Sequence, residues 1–103
     1  MIAVNGSAGR TKKASNGPPE ENGKPTAAAI MAMLEHQEFK CSLTGRELTP
    51  QTASVDHIEP LLLGGENVMA NIHIVHCDVN QAKGTMSLSD FVTMCKEVAD
   101  KFK

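Results

Sequence analysis

The chain has no tryptophan or tyrosine and only three phenylalanines among its 103 residues. Its core must therefore be filled by aliphatic side chains and by the six methionines, and extensive stacking of aromatic rings on nucleic-acid bases is not expected. A chain of this length buries roughly 60–65% of the surface that it exposes when unfolded, which is enough for one small core. We therefore expect one folded domain.

Cysteine is also scarce. Cys41, Cys77 and Cys95 are odd in number, lie far apart and form no C-x-x-C pair, which argues against a disulfide framework and against a standard zinc knuckle. No apolar run approaches the ~18 residues that a membrane span requires, and the N-terminus lacks the apolar stretch of a signal peptide. We expect reduced thiols in a cytoplasmic protein that does not contact a membrane.

Positive charge is short in the part expected to fold. Residues 1–25 hold four bases and two acids, whereas residues 26–103 hold six bases and ten acids, so the formal charges are +2 and −4. The bulk charge does not indicate a nucleic-acid partner, and binding must rest on a local site, a bound cation or a helper protein. Phosphate-binding loops and serine-nucleophile motifs are also missing.

The polar composition of residues 1–24 predicts a disordered arm, followed by a single domain over 25–103. Strong helix formers after Pro25 predict a helix over 26–38. A second helix is predicted over 88–102, because Ser87 and Asp90 have capping-box spacing and apolar residues recur at helical intervals. We expect this apolar stripe to enter the core; its members are Leu88, Phe91, Val92, Cys95, Val98, Ala99 and Phe102.

Between these helices, "FKCSL" (39–43) and "TASVDHI" (52–58) have the composition of two short strands, separated by a Gly- and Pro-containing turn. They predict a hairpin that ends at an Asp-His pair. "HCDVNQAKG" predicts a short helix that Gly84 terminates. The expected fold class is α+β.

The Asp-His pair and the short helix carry side chains suited to metal-assisted hydrolysis. Asp56 offers a carboxylate oxygen and Asn80 an amide oxygen, which are ligands that Mg²⁺ or Mn²⁺ prefers. A neutral histidine such as His57 can take a proton from water. Neighbouring strand residues point to opposite sides, so Asp56 and His57 can flank a substrate. Taken alone, an Asp-His pair is more often a turn or a surface hydrogen bond, and N-x-x-K-G is an ordinary helix ending.

The order and spacing of these residues add a more specific indication. The stretch "SVDHIEPLLLGGENVMANIHIVHCDVNQAKG", together with the upstream "CSLTGREL", resembles the HNH endonuclease family of ββα-metal (His-Me finger) nucleases, of the small bacterial or phage type. The resemblance covers roughly residues 39–87. It implies an α+β fold with a ββα-metal core, a β-hairpin plus a short helix, flanked by an N-terminal and a C-terminal helix.

The resemblance also implies roles for individual residues. His57 matches the general base that activates water, and Asp56 and Asn80 match the ligands of Mg²⁺ or Mn²⁺. Asn71 matches the central Asn that braces the loop and orients the histidine, which makes the chain an H-N-N variant. Lys83 is predicted to contact a phosphate, with an exposed position on the helix as the alternative.

The chain departs from many relatives at the four cysteines that bind a structural zinc ion, where it has Cys41, Thr44, His76 and Val79. With one thiol of four, a closed zinc site is not expected, and the flanking helices must supply the stabilisation. His73 and His76 are predicted to approach nucleic acid, with partly buried, hydrogen-bonded positions as the alternative.

The predicted function is that of a metal-dependent endonuclease that nicks DNA with weak or no sequence specificity. Its low positive charge predicts delivery to DNA by a partner protein, for example phage packaging machinery, in the cytoplasm of a bacterium or a phage-infected host. Two alternatives stay open: a catalytically silent DNA-binding or assembly module of the same fold, and a zinc-binding structural domain.

Overall fold

The computed structural model describes residues 23–103, which form an α+β arrangement of three helices and a two-stranded antiparallel sheet. The predicted arm at 1–24 lies outside the described residues except for its last two, and the carbonyl of Gly23 accepts the N–H of Met69. In chain order the elements are α1 (Ala27–His36), β1 (Ala53–His57), β2 (Ile72–His76), α2 (Cys77–Lys83) and α3 (Leu88–Lys101).

The sheet pairs β1 with β2, in a register that sets Asp56 opposite His73. The predicted hairpin of 39–43 with 52–58 is therefore wrong: β1 pairs with Ile72–His76, a segment for which no strand was predicted. Glu38 and Phe39 adopt φ values of 58° and 59°, which interrupt an extended chain. The segment after them closes on itself through a bridge between Lys40 and Glu47.

Helix α1 starts one residue later than its predicted boundary, because Thr26 is the N-cap and its Oγ1 accepts the N–H of Ala29 at 3.0 Å. After its end, the amide of Gln37 binds the edge of β2. Gln37 donates to the carbonyl of Ile74 at 2.9 Å and accepts the N–H of the same residue at 3.1 Å. This side chain satisfies the N–H that an edge strand would otherwise leave unpaired, while the carbonyl of Ile74 also accepts the N–H of Ser42 at 3.1 Å.

Helix α2 follows β2 without a connecting loop, so the order β1, loop, β2, α2 gives a ββα unit. His76 is its N-cap, and Gly84 ends it with φ of 56°, as the glycine in the sequence predicted. Within residues 23–103, no helix is both long and apolar enough to cross a membrane.

Helix α3 begins as predicted, with Oγ of Ser87 accepting the N–H of Asp90 at 3.2 Å. Its apolar stripe does not form core as expected: Phe91 is buried at 7% exposure, whereas Val98 is 55% and Phe102 83% exposed. A 14-residue helix spans roughly 21 Å, and Phe91, near its start, is its one buried residue. The prediction that the whole stripe is core is wrong.

The core lies between α1, β2, α2 and the start of α3. It is almost entirely aliphatic, as the lack of aromatic residues predicted, and consists of Leu34, Cys41, Leu48, Ile72, Ile74, Val75, Val79 and Phe91.

Candidate active site

A cavity of about 320 Å³ opens between the end of β1 and α2. Three predicted site residues, Asp56, His57 and Asn80, line it together. Asp56 and His57 lie on β1, and Asn80 lies on α2. They meet because α2 packs against both strands of the sheet. The remaining walls are mostly apolar and come from Val55, Pro60, Leu61, Leu62, Gly84 and Thr85.

Asp56 is 4% exposed, and its carboxylate is held by two side chains. Oδ2 lies 2.7 Å from Nε2 of His73, its cross-strand neighbour. Nζ of Lys83 lies 3.3 Å from each of the two carboxylate oxygens. The orientation of a buried carboxylate with contacts to both oxygens is tightly restricted, which suits a metal ligand.

Lys83 is 1% exposed, and its ammonium also donates to the carbonyl of His57 at 2.9 Å. The alternative that placed Lys83 on the exposed face of its helix is therefore wrong. Lys83 is the last residue of α2, which Gly84 ends, and its side chain reaches back to Asp56 and His57 on β1. The phosphate contact predicted for Lys83 stays a prediction, and the contact it makes here is with Asp56.

His73 is also buried, and it joins Asp56 to the surface. Its Nδ1 lies 2.8 Å from Oγ of the exposed Ser42. His76 is half-buried and caps α2, with Nδ1 accepting the N–H of Asp78 at 3.1 Å. Both histidines are hydrogen-bonded, with His73 buried and His76 half-buried, and their contact with nucleic acid stays a prediction.

The His57 ring is held by a residue that the sequence did not single out. Its Nε2 lies 2.9 Å from Oδ1 of Asn67. An amide oxygen only accepts hydrogen bonds, so this contact places the ring proton on Nε2 and leaves the lone pair on Nδ1. A nitrogen with a free lone pair is what a general base requires.

Asn71 braces the loop between the strands at two places. Its Oδ1 accepts the N–H of Glu59, and its Nδ2 donates to the carbonyls of Glu59 and Glu66, all at 2.9 Å. The loop packs tightly at this point, because a Cβ on Gly65 would lie 1.9 Å from the carbonyl oxygen of Glu59. Asn71 thus fixes the backbone that follows His57, while the ring itself is contacted by Asn67.

Asn80 presents its amide to β1 through Nδ2, which lies 2.5 Å from Oγ of Ser54 and 3.4 Å from the carbonyl of Val55. The carbonyl only accepts, so Nδ2 faces the strand. Among the described residues no group donates to Oδ1 of Asn80, which leaves that oxygen available. Asp56 and Asn80 thus line one cavity, and their side chains carry the hard oxygen donors that a cation of the Mg²⁺ or Mn²⁺ type prefers.

A second group of donor atoms lies at the start of α2, where ligand atoms of His76, Cys77 and Asp78 fall within 4.8 Å of one another. These atoms already have partners. Nδ1 of His76 caps the helix, and Oδ2 of Asp78 lies 3.3 Å from Nη1 of Arg46.

Cys41 is the one cysteine that remains of the four zinc-binding positions, and it is buried. Burial raises the pKa of its thiol, but this effect is outweighed by the Thr44 side chain and by the backbone N–H groups of His76, Leu43 and Thr44, which hold the pKa below its usual value. The thiol therefore has hydrogen-bond donors around it without a metal.

The sequence gives a signal for one contact of the site, that of Asn67 with His57, and none for another, that of Ser42 with His73. Asn67 stands in "GGEN", ten residues after His57, and an asparagine shortly after two glycines indicates a loop whose polar side chain can make a local hydrogen bond. Ser42 carries no such signal, since its contact with His73 spans 31 positions.

The chain matches no protein-family model, and no curated protein shows significant similarity to it.

Proposed function

We propose that the protein is a metal-dependent endonuclease of the HNH type, which hydrolyses phosphodiester bonds in DNA. The observation that carries the proposal is the convergence of Asp56, His57 and Asn80 on one cavity. The ββα order of β1, β2 and α2 supports it as well, because it delivers a histidine from a strand end and an amide from a helix to the same place.

His57 is the general base in this proposal. Asn67 holds Nε2, so Nδ1 is left to take a proton from a water molecule that attacks phosphorus. Asn71 supports this arrangement indirectly, because its three hydrogen bonds fix the loop that carries Asn67. The base is therefore oriented by one asparagine and the loop by another.

Asp56 and Asn80 would hold Mg²⁺ or Mn²⁺ through a carboxylate and an amide oxygen. When bound, such a cation supplies stabilisation of the negative charge that develops on the leaving oxygen. His73 and Lys83 keep the Asp56 carboxylate in its orientation. Leu61 and Leu62 add apolar side chains to the border of the cavity.

The negative charge of the folded part supports a weak and non-specific interaction with DNA. Residues 26–103 carry a formal charge of −4, and the ammonium of Lys83 is turned inward. Because affinity for DNA rests mainly on cationic contacts and released counterions, this domain alone should bind weakly. A partner protein that delivers it to DNA, such as a component of phage packaging machinery, would supply the missing affinity. One site cuts one strand, so a single copy should nick.

The test is cleavage of supercoiled plasmid at low salt with Mg²⁺ or Mn²⁺, by the wild type, His57→Ala and His36→Ala. His36 is exposed on α1 and serves as the matched control. Loss of His57 should lower the rate of nicking by about 10²–10⁴-fold, while His36→Ala should match the wild type.

Other outcomes would contradict the assigned base or favour one of the two alternative functions, a binding module or a structural zinc domain. Equal nicking by wild type and His57→Ala would contradict the assigned base. Retention of DNA without nicking by either protein would indicate a binding module. Stoichiometric zinc in the purified protein, with no nicking, would indicate a structural zinc domain.

A further inference from the structure

Lys83 is, with Ile74 and Val75, one of the three largest side chains that are fully buried in the described residues. Buried ammonium groups are costly unless they are paired and hydrogen-bonded. Here the ammonium lies 3.3 Å from both oxygens of Asp56 and 2.9 Å from the carbonyl of His57. The long side chain ends at the carboxylate to which the proposed function assigns the metal.

We propose that Lys83 is a built-in counter-cation for Asp56, which balances the carboxylate in the metal-free protein and thereby weakens the hold on the divalent cation. The inference rests on the proposed function in one respect: it takes Asp56 as a metal ligand. It assigns to Lys83 control over how tightly the metal is held, in place of contact with the substrate.

The arrangement of groups around Asp56 supports this role. Asp56 lines the cavity, whereas Lys83 and His73 do not. Both of them contact the carboxylate and are themselves buried, so they approach it from the protein interior, while Asp56 borders the cavity. A cation that enters the cavity must therefore share one carboxylate with the ammonium of Lys83.

Electrostatics gives the sign of the effect. Two cations that share a buried carboxylate repel each other, and partial burial weakens the screening by water. Without Lys83, the buried carboxylate would lack its balancing charge in the metal-free state, and a divalent cation would then supply it. Removal of the ammonium should therefore destabilise the metal-free protein and strengthen metal binding.

A merely structural role for Lys83 predicts a different pattern. If the ammonium only holds the carboxylate in place, its removal lowers both the stability and the metal affinity. The two quantities move in opposite directions under our proposal and in the same direction under the structural one. Measuring both on one variant separates the two roles.

The experiment compares full-length wild type, Lys83→Met, Asp56→Asn and Lys96→Met. Methionine keeps the unbranched lysine side chain up to its Cε position and lacks the charged end group, and Lys96, exposed on α3, is the matched control for loss of one positive charge. Binding of Mn²⁺ is measured by calorimetry and by the electron paramagnetic resonance signal of free Mn²⁺. Thermal unfolding is followed by circular dichroism with chelator and with Mn²⁺.

We expect Lys83→Met to unfold at a lower temperature than the wild type in chelator, and to bind Mn²⁺ at least ~10-fold more tightly. Lys96→Met should change neither quantity appreciably. If Lys83→Met does not fold in chelator, recovery of its folded signal on addition of Mn²⁺ supports the proposal, and failure to recover overturns it.

The failures of this inference and of the proposed function are distinguishable. If wild type binds Mn²⁺ in an Asp56-dependent way and Lys83→Met binds it equally or more weakly, the counter-cation role alone is wrong. If wild type binds no Mn²⁺, or Asp56→Asn binds it as well as wild type, the metal site of the proposed function fails and the role of Lys83 falls with it.

Discussion

The side-chain oxygen of Asn67 lies 2.9 Å from Nε2 of His57 and is the hydrogen-bond partner that orients the imidazole. Asn67 is exposed in the loop between the strands, where it contributes little to packing. A residue that positions the base without supporting the core should affect the reaction and leave the fold unchanged.

Replacing Asn67 with Ala should lower the rate of plasmid nicking by about 10- to 100-fold, because the His57 ring loses its fixed orientation. Asn67→Asp keeps an oxygen acceptor and should retain most of the activity. Steady-state kinetics measures both, and urea unfolding should give nearly equal stabilities for the three proteins. A rate for Asn67→Ala equal to that of wild type would show that the contact does not orient the base.

The two adjacent glycines of the loop should respond differently to the same substitution. Gly64 has φ of 97° and open space around it, so Gly64→Ala costs only the strain of a left-handed backbone, about 1–2 kcal/mol. At Gly65 a Cβ would lie 1.9 Å from the carbonyl oxygen of Glu59, so the backbone itself must move. Urea unfolding should show a larger loss for Gly65→Ala, together with loss of nicking. Equal losses would mean that the loop yields easily near Glu59.

Phe91 in α3 and Phe102, which directly follows the helix, form a matched pair for stability. Phe91 is 7% exposed and belongs to the core, whereas Phe102 is 83% exposed. Phe91→Ala should lower the free energy of unfolding by about 3 kcal/mol or more, and Phe102→Ala should change it by less than about 0.5 kcal/mol. Circular dichroism measures both, since the chain has no tryptophan or tyrosine to report by fluorescence. A large loss for Phe102→Ala would mean that the exposed half of the stripe is covered in solution.

Cys41 should make stability depend on pH in the alkaline range. Burial raises the pKa of its thiol, but the Thr44 side chain and three backbone N–H groups outweigh this and hold the folded-state pKa below its ordinary value of 9.0. For a lowered pKa, the added stability is fully present above the unfolded-state pKa and is lost as the pH falls through the folded-state pKa.

The stability difference between wild type and Cys41→Ala should therefore grow as the pH rises toward 9, which urea unfolding at several pH values measures. The exposed Cys95 provides the control substitution, Cys95→Ala. A difference between wild type and Cys41→Ala that stays constant with pH would contradict the lowered pKa.

The helices could be predicted because their ends are encoded locally. Ser87 and Asp90 lie three positions apart and make the expected cap, and Gly84 ends α2 as its sequence position suggested. Strand pairing could not be predicted in the same way. "FKCSL" has strand composition, but its pairing depends on backbone conformations at Glu38 and Phe39 that its composition does not reveal. The true second strand, Ile72–His76, is buried along four of its five residues, and its apolar–polar alternation stops after Ile74, which is too short to identify a strand.

Part of the candidate site follows from sequence and part depends on tertiary contacts. The grouping of Asp56, His57 and Asn80 was anticipated, and the three line one cavity. The inward position of Lys83 was not, because its partner Asp56 lies 27 positions away and a lysine near a helix end is usually exposed. Contacts between distant polar side chains leave no periodic pattern in a sequence, so their partners had to come from the fold.

The pairing of β1 with β2 has a consequence for the order of folding. Its most widely separated partners are Ala53 and His76, which are 23 positions apart, and α2 begins at the next residue. Contacts between such near neighbours carry a small loop-closure cost and favour rapid folding. We therefore expect the ββα unit to assemble in the folding nucleus, with α3 docking later, so that substitutions in α3 would chiefly accelerate unfolding.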